Sequence, residues 1–204
     1  MRRRIDFNQG YIVVAPVDVE AEHSALLTES DLAHLATLSS PSRRAQWSTW
    51  RCIVREELGA DAQLRYNSAG APLLERAVGE VAYISVSHSA EWVAVMFSRT
   101  RCGVDIEASD RNFAKVASRY ITLDEREHLG ADFGELFEAV MWSAKEAIYK
   151  YANTPGVEFT SDMIVVAHTP LTATLQAELY GVPLPDTHYL RLDGGQMLCY
   201  LFQD

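Results

Sequence analysis

The most regular hydrophobic pattern in the chain is helical. Residues 41–58 place Trp47, Trp50, Val54 and Leu58 at steps of three and four, an apolar stripe on an otherwise polar segment. Ser40 precedes it as an N-cap, Pro41 suits the first helical position, and Gly59 follows as a stop. Residues 135–152 hold no Gly or Pro and many good helix formers, which predicts a second long helix. Thr122-x-x-Glu125 is a capping box opening another helix just before it. Helical spacing also runs over 26–38 and 111–120.

The strand signals differ in kind. Residues 11–17 are apolar and rich in β-branched side chains, a buried strand by type. Segments 81–86 and 92–97 predict a pair around a short polar connection, and 104–106 follows the turn at Arg101-Cys102-Gly103. Residues 67–72 read as a turn or loop. From 163 onward, alternating segments separated by Pro and Gly predict several strands, ending at 197–202. Helices and strands mix without a βαβ rhythm, so the expected class is α+β with antiparallel sheet. Strand-rich endings near Phe97 and Phe202 suggest two similar halves, residues 1–100 and 101–204.

Composition narrows the possible partners. The 204 residues carry 18 Lys and Arg against 28 Asp and Glu, a formal net charge of -10. Such a surface repels nucleic acid and anionic membranes, so any anionic ligand needs a local basic cluster. Cys52, Cys102 and Cys199 stand far apart without a CxxC pair, which argues against a disulfide framework or zinc site and suits the cytoplasm. The start, Met1-Arg2-Arg3-Arg4, is followed by no apolar stretch long enough for a signal or membrane span.

Four segments carry candidate chemistry. In Gly103-Val104-Asp105-Ile106-Glu107, strand alternation points Val104 and Ile106 one way and the two carboxylates the other. Side-by-side carboxylates repel unless a cation lies between them, and Mg2+ prefers such oxygen ligands; an exposed edge with two solvated acids is the alternative. On the long helix, Trp142, Glu146 and Lys150 stack at steps of four with Lys145 beside them. That spacing serves a phosphate and metal site or a plain surface ion pair equally well. Arg44, Arg51 and Arg55 share a helix face read as opposite the tryptophans, either a phosphate-binding stripe or a solvated one. Ser85-Val86-Ser87-His88-Ser89 offers hydroxyls, an imidazole and turn N–H groups where a strand ends, again for a phosphate or simply for capping.

These segments, in this order, resemble the 4'-phosphopantetheinyl transferase superfamily, in its longer surfactin-synthetase-activating type. Ser87-His88-Ser89, the run from Gly103 to Glu107 and the run from Trp142 to Lys150 carry the resemblance, which is loosest before Arg43 and after Ala152. It implies an α+β fold of two pseudo-symmetric halves, each an antiparallel sheet packed against a long helix, with coenzyme A in the cleft between them. It implies transfer of the 4'-phosphopantetheine arm of coenzyme A to a serine of an apo acyl, peptidyl or polyketide carrier protein, releasing 3',5'-ADP. Asp105, Glu107 and Glu146 resemble the Mg2+ ligands, where Mn2+ could substitute. Glu146 is then the candidate base, Lys150 a phosphate-binding and catalytic residue, and Lys145 an aid to the leaving group. Ser87, His88, Arg43 and Arg44 resemble the coenzyme A phosphate site. An acidic carrier would need a basic face, for which Arg111, Lys115 and Arg119, four residues apart, are the candidates. One departure stands out: Gly70-Ala71-Pro72 has alanine where the family's GKP-like loop has lysine. A monomer is expected. The competing readings are a non-catalytic coenzyme A or nucleotide-binding protein and a metal-dependent phosphohydrolase.

Overall fold

In the computed structural model, which describes residues 1–68 and 70–204, the chain divides into two units, Met1–Arg99 and Thr100–Asp204. Ala69, inside the predicted 67–72 turn, lies outside the described residues.

The first unit begins with a hairpin of Arg3–Phe7 (β1) and Gly10–Pro16 (β2). Helices Glu29–Thr37 (α1) and Pro41–Leu58 (α2) follow, then a small hairpin of Leu64–Tyr66 (β3) and Pro72–Leu74 (β4). Tyr83–His88 (β5) and Trp92–Ser98 (β6) close the unit. One antiparallel sheet runs β1-β2-β6-β5. The α2 stripe lies on it, with Trp50, Ile53 and Val54 against Val13, Val95 and Phe97. Each such side chain contributes about 1.5–3 kcal/mol by leaving water. Ser40 and Gly59 cap α2 at the expected places. The sequence pattern lacks any sign of β1, because Arg3, Arg4 and Asp6 on this edge strand are exposed.

The arginine stripe on α2 needs correcting. Arg51 and Arg55 are buried, and both bond the buried Asp31 of α1, at 2.5 Å each. Nor does the stripe stand opposite the tryptophans: Arg51 follows Trp47 by one turn, and its guanidinium lies 4.9 Å from that ring and 5.2 Å from Trp50. These two cations tie α1 to α2 and are not a phosphate surface.

The second unit is α+β as well. Cys102–Ala108 (β7) leads through a 3-10 segment, Ala114–Arg119, to helix Leu123–Phe133 (α3). A further 3-10 turn precedes the long helix Phe137–Ala152 (α4). Met163–Thr169 (β8), Thr174–Leu179 (β9), Val182–Pro183 (β10), Thr187–Leu192 (β11) and Gln196–Phe202 (β12) complete it. The antiparallel sheet runs β10-β9-β11-β12-β7, with β8 also paired to β9. Its β7, β12 and β11 side carries α4, whose Val140, Met141, Ala144 and Ile148 pack with Met197, Cys199 and Leu201. The predicted helix over 111–120 forms only as the 3-10 segment, which changes its face geometry: at three residues per turn, side chains four apart are not aligned. Arg111, Lys115 and Arg119 are exposed, but do not form the single helical face expected for carrier docking.

Candidate active site

Strand β7 lies at the sheet edge, paired among the described residues with β12 alone, so Asp105 stands opposite Cys199 and Glu107 opposite Met197. Val104 and Ile106 are fully buried on one face. Gly103, Asp105 and Glu107 alternate onto the other, and that face receives α4. The approach is close. A Cβ at residue 103 would lie 2.1 Å from the Ala147 carbonyl oxygen and 2.7 Å from the Tyr151 nitrogen, so glycine is required there.

That approach joins the two sequence motifs. Lys150 Nζ donates to Asp105 Oδ1 at 2.8 Å and to the Val104 carbonyl at 3.1 Å. Two turns back, Trp142 Nε1 donates to Glu107 Oε1 at 3.0 Å. Glu146 sits between them on the same helical stripe. Its carboxyl is pushed up by burial and then by the charges of Asp105 and Glu107, against a downward pull from Lys150. Glu107 is likewise raised by burial and by Asp105, with Arg111 opposing. Arg111 bonds Glu107 at 2.5 Å and lies 5.5 Å from the Trp142 ring.

Each of the three carboxylates is thus within electrostatic reach of the others. Among the described residues no three His, Cys, Asp or Glu side chains already form a metal-ligand group, and Asp105 and Glu107 take Lys150 and Arg111 as counter-ions. The donor chemistry nonetheless fits a hard divalent cation: oxygen ligands only, mutually repelling, with Asp105 buried and Glu107 and Glu146 half-buried.

The family model described as ACPS, 4'-phosphopantetheinyl transferase superfamily, matches residues 101–190. This stretch contains all of β7, α3 and α4 and lies within the second unit. No curated protein matches the chain. Among the described residues no helix is long and apolar enough to cross a membrane.

Lys145 does not belong to this site. It is fully buried, and its ammonium donates to Glu125 Oε1 at 2.6 Å, to the Phe159 carbonyl at 2.7 Å and to the Met163 carbonyl at 3.0 Å. A lysine has three donors, and all are used within the fold. Burial lowers its pKa and the Glu125 charge opposes that shift. The expectation that it assists a leaving group is therefore corrected. Sequence reading identified Glu125 only as a helix cap, which it is; nothing in the pattern announced its burial or its partner.

The first unit holds a separate feature, a cavity of about 510 Å³ bordered by His34, Arg43, Gln46, Trp47, Tyr66 and His88. Trp47 packs on His34 at 4.7 Å between ring centroids and donates its indole N–H to the Tyr66 hydroxyl at 3.1 Å. Gly70 and Pro72, flanking Ala71, also border it. Arg43 and His88, paired by sequence reading, thus meet at one cavity. Arg44 and Ser87 do not border it. Arg44 bonds Glu22 at 2.7 Å and the Leu35 carbonyl, and Ser87 alternates to the other face of β5 and is buried.

Proposed function

We propose that this chain transfers the 4'-phosphopantetheine arm of coenzyme A to a serine of an apo carrier protein, as a Mg2+-dependent enzyme of the long, surfactin-synthetase-activating type. The observation that carries the reading is the set of Asp105, Glu107, Glu146 and Lys150, gathered by β7 and α4 inside the stretch matching the superfamily.

In the reaction, the carrier serine oxygen attacks the β-phosphorus of the coenzyme A diphosphate. The new P–O bond forms as the bond to the leaving group breaks, and 3',5'-ADP departs. Asp105, Glu107 and Glu146 would hold Mg2+, whose charge offsets that of the diphosphate. Glu146 takes the serine proton, directly or through a water. Lys150 places a fixed positive charge beside the phosphates as their charge redistributes.

The cavity of the first unit suits the nucleotide end of coenzyme A, with Arg43 and His88 for the 3'-phosphate and Trp47 for the base. Lys115 and Arg119, with Arg111, supply exposed cations for an acidic carrier of acyl, peptidyl or polyketide type. Three buried, unbridged cysteines are at home in the reducing cytoplasm, where we place the enzyme as a monomer.

Intact mass spectrometry of an apo carrier incubated with the protein, coenzyme A and Mg2+ tests this. One phosphopantetheine added to the carrier serine is the expected result. Free phosphopantetheine with an unmodified carrier would mean a phosphohydrolase, and an unchanged mixture would leave a binding protein.

A further inference from the structure

The buried ion pair between Lys145 and Glu125 lies beside the candidate active site but outside it. Its partners come from three places: Glu125 from α3, the Phe159 carbonyl from the segment after α4, and the Met163 carbonyl from β8. Glu125 is itself held at both oxygens. Oε2 accepts from the Thr122 N–H at 2.8 Å, and Oε1 from the Val165 N–H at 2.9 Å. One side chain of α4 is therefore anchored to three surrounding segments.

We infer that the Lys145–Glu125 pair is a positioning device that fixes the rotation of α4 about its axis, and so sets where Glu146 and Lys150 stand over Asp105 and Glu107. The inference rests on the functional reading above. Apolar packing resists separation but tolerates sliding, because it is non-directional. Charge-assisted hydrogen bonds have preferred angles and lengths, so Lys145 resists turning. On the far flank of the helix, the contact of Gly103 with the Ala147 carbonyl and the Tyr151 nitrogen fixes how near α4 comes to β7. Gly103 sets the distance, while the angle is held from one flank by Trp142 and Lys150 on β7 and from the other by the three bonds of Lys145. With side-chain ends about 5–6 Å from a helix axis, a turn of about 10° moves them by about 1 Å. A shift of that size at reacting groups can cost about 10²-fold in rate.

Removing Lys145 alone would strand a buried carboxylate and could unfold the chain, so the test neutralises both members. The double variant Glu125→Gln with Lys145→Met removes the charges together, which folded proteins often tolerate. Glu125→Asp keeps both charges but withdraws the carboxylate by one methylene. Circular dichroism and melting establish folding, carrier modification gives kcat, and electron paramagnetic resonance with Mn2+ alone gives the affinity of the carboxylate group. The folded double variant should lose about 10²-fold in kcat and bind Mn2+ about 10–100-fold more weakly. Glu125→Asp should fall between it and the wild type. Either variant, folded, with wild-type kcat and wild-type Mn2+ affinity overturns the inference. A wild-type chain that binds Mn2+ but modifies no carrier overturns the functional reading alone, and the pair is then judged on Mn2+ affinity. A wild-type chain that does neither overturns both.

Discussion

Adjacent residues on a helix point about 100° apart, and this alone sends Lys145 and Glu146 into different surroundings. Glu146 faces the acidic strand, while Lys145 is saturated inside the fold. Glu146→Gln keeps the shape and removes the proposed base, so single-turnover transfer should fall about 10²–10⁴-fold with folding unchanged. Asp31 shows the same point in the first unit. It is the shared carboxylate of two buried arginines, and Asp31→Ala should cost about 3–5 kcal/mol in urea unfolding. Burial pushes its carboxyl up, but the Thr28 N–H and Arg51 outweigh that and hold it below the ordinary aspartate range. The folded chain thus binds this proton less readily than the unfolded one. The stability it provides is complete above the ordinary aspartate range and is lost as pH falls through and below it. In Asp31→Asn that part of the acid unfolding curve should flatten, as followed by circular dichroism against pH.

At the scale of elements, what matters is how near two of them come. The stretch from Gly103 to Glu107 and the stretch from Trp142 to Lys150 were each legible as motifs, and so was the capping box of α3. Their meeting depends on a missing side chain. Gly103→Ala puts a methyl group into the backbone of α4, so the helix must move away from β7. We expect a loss of about 1–3 kcal/mol in stability, together with weaker Mn2+ binding by calorimetry. The short helix expected to carry Arg111, Lys115 and Arg119 did not form as an α-helix, and its even spacing of cations lost its meaning with the change of pitch. In the first unit, α1, α2 and the β3–β4 hairpin assemble an aromatic wall that no run of residues displays. Trp47→Ala should raise the KM for coenzyme A about tenfold or more, the worth of one base stacked on an aromatic ring, while kcat changes little.

For the whole molecule, the net charge of -10 sets the terms on which the proposed acidic carrier can approach. Long-range repulsion has to be offset by local cations, so reversing Lys115 and Arg119 to Glu should raise the carrier KM. The coenzyme A KM should stay as it is. Steady-state assays at two salt concentrations check this, since the difference between variant and wild type should shrink as salt shortens the range of charge.

Reading the residues in order was enough for the α+β class, the two long helices, the caps of α2, and the two acidic and lysine-bearing motifs. Periodicity, capping and local spacing are properties of neighbours along the chain, so they survive without a fold. Which charges lie inside was a different matter. Arg51, Arg55 and Lys145 look like any solvated cation in sequence, and only packing against Asp31 and Glu125 turned them into internal ties. Burial depends on what arrives from far along the chain, and helix pitch on what a segment must pack against; both are fixed by the folded whole.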